Sequence, residues 1–146
     1  MARFFRLFLA VLLGFVVGSA VNMAILMVSG NVIPAPDGAD VSTMEGLKAS
    51  IHLFEPKHFV FPFLAHALGT LAGACVAGLL APGKSTTPAR IIGGLFLLAG
   101  AANIVMLPAP MWFEAMDLLL AYVPTAWLGQ ALAVRIAPRL AFLNAR

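Results

Sequence analysis

Residues 7–36, LFLAVLLGFVVGSAVNMAILMVSGNVIPAP, run for 30 residues without a charged side chain. A bilayer core of about 30 Å is crossed by about 20 helical residues rising 1.5 Å each, so this stretch alone is long enough to span a membrane. Three more charge-free stretches follow, residues 59–83, 91–113 and 118–134, of 25, 23 and 17 residues. Together they predict an all-α membrane protein with four transmembrane helices, over about residues 5–29, 59–82, 91–107 and 113–134 of a single domain covering 1–146. Composition leads to the same class: 62% of residues are hydrophobic, 10% are charged and the mean hydropathy is +0.99. A soluble domain carries roughly 25% charged residues, so a water-soluble monomer is excluded.

The charges are sorted by segment. Seven of the nine basic residues, Arg3, Arg6, Lys84, Arg90, Arg135, Arg139 and Arg146, lie before the first span, between the second and third, or after the fourth. The other two connections hold all six acids, Asp37, Asp40, Glu45, Glu55, Glu114 and Asp117, with only Lys48 and Lys57 beside them. The positive-inside rule then puts both termini in the cytoplasm and the acidic connections outside. The net charge of +3 reports this orientation, and no folded basic face offers itself to nucleic acid. Arg3 and Arg6 ahead of an apolar run and Gly18-Ser19-Ala20 have the outline of a signal peptide, but the run continues to Ile33, so the first span is read as retained. Cys75 is the single cysteine, which excludes an intrachain disulfide and CxxC redox chemistry.

Between the first two spans, Ser42-Thr43-Met44-Glu45 reads as a capping box opening a helix over 43–55. Met44, Leu47, Ile51 and Phe54 make an apolar face and Glu45, Lys48, His52 and Glu55 a polar one, the pattern of an interfacial helix that Pro56 terminates. Phe59, Phe61, Phe63, Trp112 and Phe113 mark the outer boundary, and Trp127 lies nearer the inner one. Ala65, Gly69, Gly73 and Ala77 form a small-residue stripe, with a shorter one at Gly14 and Gly18. Such stripes let helix backbones approach within a bundle, or join two copies in a homodimer. A parallel two-hairpin repeat is suggested by two echoes. Asn22-Met23 with Pro34-Ala35-Pro36 is matched by Asn103, Met106 and Pro108-Ala109-Pro110, and Leu64-Ala65-His66 with Gly73 by Leu120-Ala121-Tyr122 with Gly129.

Polar residues inside a membrane are costly and each needs a partner. Asn22, His66, Asn103 and Asp117 fall at similar depth near the outer side, so a four-helix bundle brings them to one ligand pocket or uses them to bond helices together. A metal ion is the candidate cofactor. His52 and Glu55 share a helical face, Glu45 precedes them, His58 follows the proline and His66 lies beneath, a His and carboxylate set able in principle to take one metal. The motif is loose, without HExxH or paired ExxH. Methionines Met23, Met27, Met44, Met106, Met111 and Met116 share the outer bias, which would suit copper or haem but equally fills irregular cores. No serine sits in a nucleophile elbow and no phosphate loop is present.

The stretch Met44-Glu45, Leu47-Lys48-Ala49-Ser50, His52-Leu53-Phe54-Glu55-Pro56-Lys57-His58-Phe59 and Ala65-His66-Ala67-Leu68-Gly69-Thr70 resembles a family of small uncharacterised bacterial four-span membrane proteins. The resemblance implies a multi-pass protein of the bacterial inner membrane and carries no activity with it. The functional expectation is a non-enzymatic binding protein, or an accessory subunit of a larger membrane complex, with an outward-facing polar pocket. The alternatives are a small homodimeric transporter and a metal-dependent membrane enzyme built on His52, Glu55, His58 and His66.

Overall fold

In the computed structural model, which describes residues 1–81 and 85–144, every regular element among the described residues is helical. Lys84, Arg146 and the side chain of Arg139 lie outside this description. Helix α1 spans Ala2–Val32, α2 Met44–Ser50, α3 Val60–Leu80, α4 Thr87–Met106, α5 Met111–Leu120 and α6 Val123–Asn144. Four helical stretches are long and apolar enough to cross a membrane: Ala2–Val32, Pro56–Leu80, Thr87–Met106 and Met111–Pro138.

The fourth of these is not one helix. A turn at Ala121 and Tyr122 divides α5 from α6. Pro124 has no N–H to give to the carbonyl four residues back, and its ring crowds that carbonyl, which kinks or breaks a helix and here coincides with the break. The freed backbone is re-bonded locally. Thr125 Oγ1 donates to the Ala121 carbonyl at 2.5 Å and lies 3.1 Å from that of Tyr122, the kind of local repair a break in hydrocarbon requires.

Helix α3 is central, packed against α1, α4 and α6. Lipid tails are as apolar as leucine, so the helices are held by close packing of small residues. Across the antiparallel α1–α3 seam the contact is reciprocal. A Cβ at Gly14 would stand 2.6 Å from the Gly73 carbonyl oxygen, one at Gly73 2.7 Å from that of Gly14, and the Gly18–Gly69 pair repeats this at 2.7 and 2.8 Å. The stripe Ala65, Gly69, Gly73, Ala77 is therefore buried against α1 of the same chain. It serves as an intrachain seam, and the same four residues have no surface left to seat a second copy. On the other flank of α3, Gly129 faces the Leu71 carbonyl and Gly78 faces the Gln130 side chain, while Gly93 of α4 sits under Ala126 of α6. Ala67, Ala74, Ala77, Ile92, Phe96, Tyr122 and Ala126 form the core between them. Helix α1 is the least enclosed, with 11% of its most apolar window buried.

The connection from α1 to α3 differs from the expected single helix over 43–55. Thr43, not Ser42, caps α2, its Oγ1 accepting the Gly46 N–H at 2.9 Å. Ser42 instead turns back, its hydroxyl donating to Asp40 Oδ1 at 2.6 Å, so the Ser42–Glu45 capping box does not form. After Ser50 the chain tightens into a 3-10 turn at Ile51–Leu53, runs extended through Phe54 and Glu55, and makes a second 3-10 turn at Pro56–Phe59. Glu55 is extended because the following proline disfavours a helical conformation there. Phe59 anchors the entry to α3, its ring 4.8 Å from Phe113 and 5.7 Å from Trp112 at the start of α5.

Candidate functional site: a polar cavity at the helix break

The turn at Ala121 and Tyr122 rotates the Tyr122 side chain into the bundle, where it is 1% exposed. Its hydroxyl donates to Asp117 Oδ2 at 2.7 Å. Gly100 of α4 makes room for it, since a Cβ there would overlap the Tyr122 ring and hydroxyl. Asp117, on the last full turn of α5, is itself buried. Its two carboxylate oxygens both lie 2.9 Å from His66 Nδ1, and the Tyr122 oxygen is 3.1 Å from the same nitrogen. A carboxylate only accepts, so the Nδ1–H of His66 donates to Asp117. His66 is held from its backbone side as well, where Thr70 Oγ1 donates to its carbonyl at 2.7 Å.

With Nδ1 committed, Nε2 is the ring nitrogen without a hydrogen-bond partner among the described residues. His66 lines a cavity of about 270 Å³ shared with Ser19 and Asn22 of α1, Asn103 of α4 and Tyr122. Phe15 and Phe96, their ring centroids 5.4 Å apart, supply apolar wall together with Met23. The cavity lies between α1 and α4, in the half of the bundle nearer the 33–59 connection, and its rim residues Met23, Ala99 and Asn103 are exposed on the side of the bundle. It thus opens sideways, past apolar helix faces, and its depth holds hydrogen-bonding groups. A ligand with a polar end and an apolar body matches such a lining.

Of the four residues expected to share a pocket, Asn22, His66 and Asn103 line this cavity, and Asp117 stands behind His66 as its partner. Tyr122 and Ser19 were not in the expected set. Pro124 carried the signal for Tyr122, being the one proline in the 118–134 run and so the place where a kink or break is favoured. Ser19 makes no hydrogen bond to His66, so serine, histidine and aspartate are not linked as nucleophile, base and orienting carboxylate.

The set His52, Glu55, His58 and His66 is dispersed. Among the described residues no three His, Cys, Asp or Glu side chains are grouped to hold one metal ion. The 3-10 turns and the extended Phe54–Glu55 pair replace the helical register that would have aligned them. Glu55 pairs with Lys57 at 3.1 Å, His58 Nδ1 accepts the Glu55 N–H at 2.9 Å, and His66 turns inward to Asp117. His52 is exposed, as is Glu45. Comparison with known protein families, with curated proteins and with solved structures matched the chain to none of them.

Proposed function

We propose that this chain is a non-enzymatic binding protein of the bacterial inner membrane, whose pocket at the α5–α6 break takes the polar end of an amphiphilic ligand arriving through the lipid. In this reading the basic end of the bundle, with Arg3, Arg6, Arg90 and Arg135, faces the cytoplasm. The pocket then lies in the outer half, beneath the helix α2 connection. One observation carries the proposal: the His66 ring is anchored through Nδ1 by a buried carboxylate and a buried tyrosine, leaving Nε2 to a cavity that also holds Asn22 and Asn103. Polar side chains also bond helices together in packing, but this network fixes the ring and keeps its other nitrogen unspent.

The test is native mass spectrometry of the protein released from mild detergent, comparing wild type with His66→Ala and Asn103→Leu. A discrete adduct on the wild type that both variants lose is expected. Identical, empty spectra for all three would remove the ligand site and leave a structural role for the network.

A second reading, a small homodimeric transporter, draws on the broken fourth span, because discontinuous helices mark substrate sites in transporters. It draws also on the echoed positions: Asn22 and Asn103 line one cavity, and His66 and Tyr122 lie 3.1 Å apart, as equivalent residues of a two-hairpin repeat around a pseudo-two-fold axis would. Since α1 fills the Gly69 and Gly73 stripe, the joining surface would be the open face of α1. A strictly monomeric mass in nanodiscs and in mild detergent would end this reading and leave the first.

A further inference from the structure

We propose that the cleft between α4 and α6, at the end of the bundle opposite the polar cavity's connection, is a binding site for an anionic glycerophospholipid. The cleft encloses about 420 Å³, within the range of about 300–1,000 Å³ usual for small-molecule sites. Its floor is made of small apolar residues, including Gly93 and Ala126, and its polar groups are Thr86, Arg90 and Gln130, with Trp127 on the wall.

Arg90 stands in the first turn of α4 and has no counter-ion among the described residues. The reason is in the sequence: the six acids all belong to the two acidic connections or, for Asp117, to the His66 network. Arg90 is exposed, and a guanidinium at the edge of a bilayer with no carboxylate in reach is attracted to anionic lipid headgroups. Gln130 supplies the second, independent observation. It is 8% exposed, and its Oε1 is buried without a donor, resting on Gly78 of α3. With the oxygen so placed, the amide nitrogen is the end left for the cleft, and it too lacks a partner within the described residues.

On the cleft side the unspent groups are donors, a guanidinium, an amide N–H and a hydroxyl, while Gln130 Oε1 faces away toward Gly78, so the matching ligand is an anion with several oxygens. The walls are apolar, and Trp127, 71% exposed, extends them on the lipid side. A free anion gains nothing from such walls, whereas a phosphodiester that carries acyl chains occupies both parts. Arg3 borders the adjoining cleft with Ser85 and Thr87, extending the positive field towards the same headgroup.

The experiment uses the full chain carrying Trp112→Phe, so that Trp127 is the single tryptophan, in phosphatidylcholine vesicles. Quenching of Trp127 by brominated phosphatidylglycerol is compared with quenching by brominated phosphatidylcholine. An effective preference of about fivefold for the anionic lipid is expected, the worth of one arginine near the surface. Arg90→Gln should abolish it. Ala131→Phe, which fills the cleft and leaves the arginine charge in place, should also abolish it, and this variant decides the matter should Arg90→Gln fail to fold. Equal quenching by the two lipids in the single-tryptophan parent would overturn the proposal. A preference surviving Ala131→Phe would assign it to surface charge alone, and displacement by inorganic phosphate would make the cleft a free-anion site. Either result refutes the lipid site. His66→Ala should leave the preference intact, which separates this test from that of the polar cavity.

Discussion

Alanine at Gly14, Gly18, Gly69 or Gly73 should loosen the bundle, and alanine at Gly30 or Gly94 should not. At the first four positions the added Cβ would stand 2.6–2.8 Å from a carbonyl oxygen of the facing helix, where ordinary contact begins at 3.4 Å. Helices α1 and α3 would have to part by about 0.7 Å, and a gap of that size forfeits a quarter to a half of each dispersion contact along the rest of the seam. Overpacking of this kind costs about 1–3 kcal/mol. Helix propensity works the other way, since alanine is favoured over glycine by about 1 kcal/mol. The net expectation is a loss of up to about 2 kcal/mol at the seam. At Gly30 and Gly94 no atom lies within 4 Å of the added Cβ, so propensity acts alone and a gain of up to about 1 kcal/mol is expected. Because Gly14 faces Gly73, the double variant Gly14→Ala with Gly73→Ala should cost less than the sum of its parts, the helices having already separated. Reversible unfolding in bicelles, read by steric trapping or by SDS titration, measures all of these. If the seam variants unfold at the same point as Gly30→Ala and Gly94→Ala, the reciprocal contact does not hold the two helices.

Three further outcomes are expected. Tyr122→Phe removes one bond to Asp117 and should cost about 0.6–1.7 kcal/mol, while Asp117→Leu removes the acceptor of both the Tyr122 hydroxyl and the His66 N–H, leaving them only each other at 3.1 Å, and should cost more in the same unfolding assay; the reverse order would contradict the network. Gln130→Met keeps the shape and removes the buried unpartnered oxygen, so it should stabilise the fold in phosphatidylcholine by about 1 kcal/mol, and a loss of stability would mean the amide has a partner. The Ser42 hydroxyl and backbone N–H hold the Asp40 carboxyl below its ordinary value of 3.8. This turn is therefore stabilised at pH values above 3.8 and loses that support as pH falls through the lower folded value. The Ser42 amide proton shift should titrate with a midpoint under 3.8, and a midpoint at or above it would show that the bonds do not form.

Hydrocarbon thickness acts on the sequence through run length alone, which is why four long apolar helical stretches could be read from the charge-free runs, although the last, read as one helix over 113–134, is α5 and α6 together, from Met111 to Asn144. The meeting of Asn22, His66 and Asn103 was legible for a similar reason, since distance along a helix converts directly to depth. Tyr122 was not, because a break changes a helix's direction without changing its hydropathy, and residues 118–134 stay apolar straight through Pro124. The His52 and Glu55 alignment failed on a different point. Spacing of three places two side chains on one face only while the backbone stays α-helical, and here it tightens at Ile51 and then extends at Phe54. The role of the Gly69 and Gly73 stripe, bundle seam or dimer face, was undecidable in sequence because both uses need the same small residues.

The central position of α3 bears on the order in which the chain can be assembled during synthesis. Its two flanks are served by different partners, α1 on one side and α4 with α6 on the other. The first flank is complete as soon as the second span has entered the bilayer, because everything the Gly14, Gly18, Gly69 and Gly73 seam needs is then present. On the second flank α4 can dock before α6, but Leu71, Ala74 and Gly78 lack their α6 partners until α6 has been made. The amino-terminal hairpin is therefore a finished template against which the later half is fitted, and the Asp117 carboxylate enters the membrane with His66 already waiting at its depth.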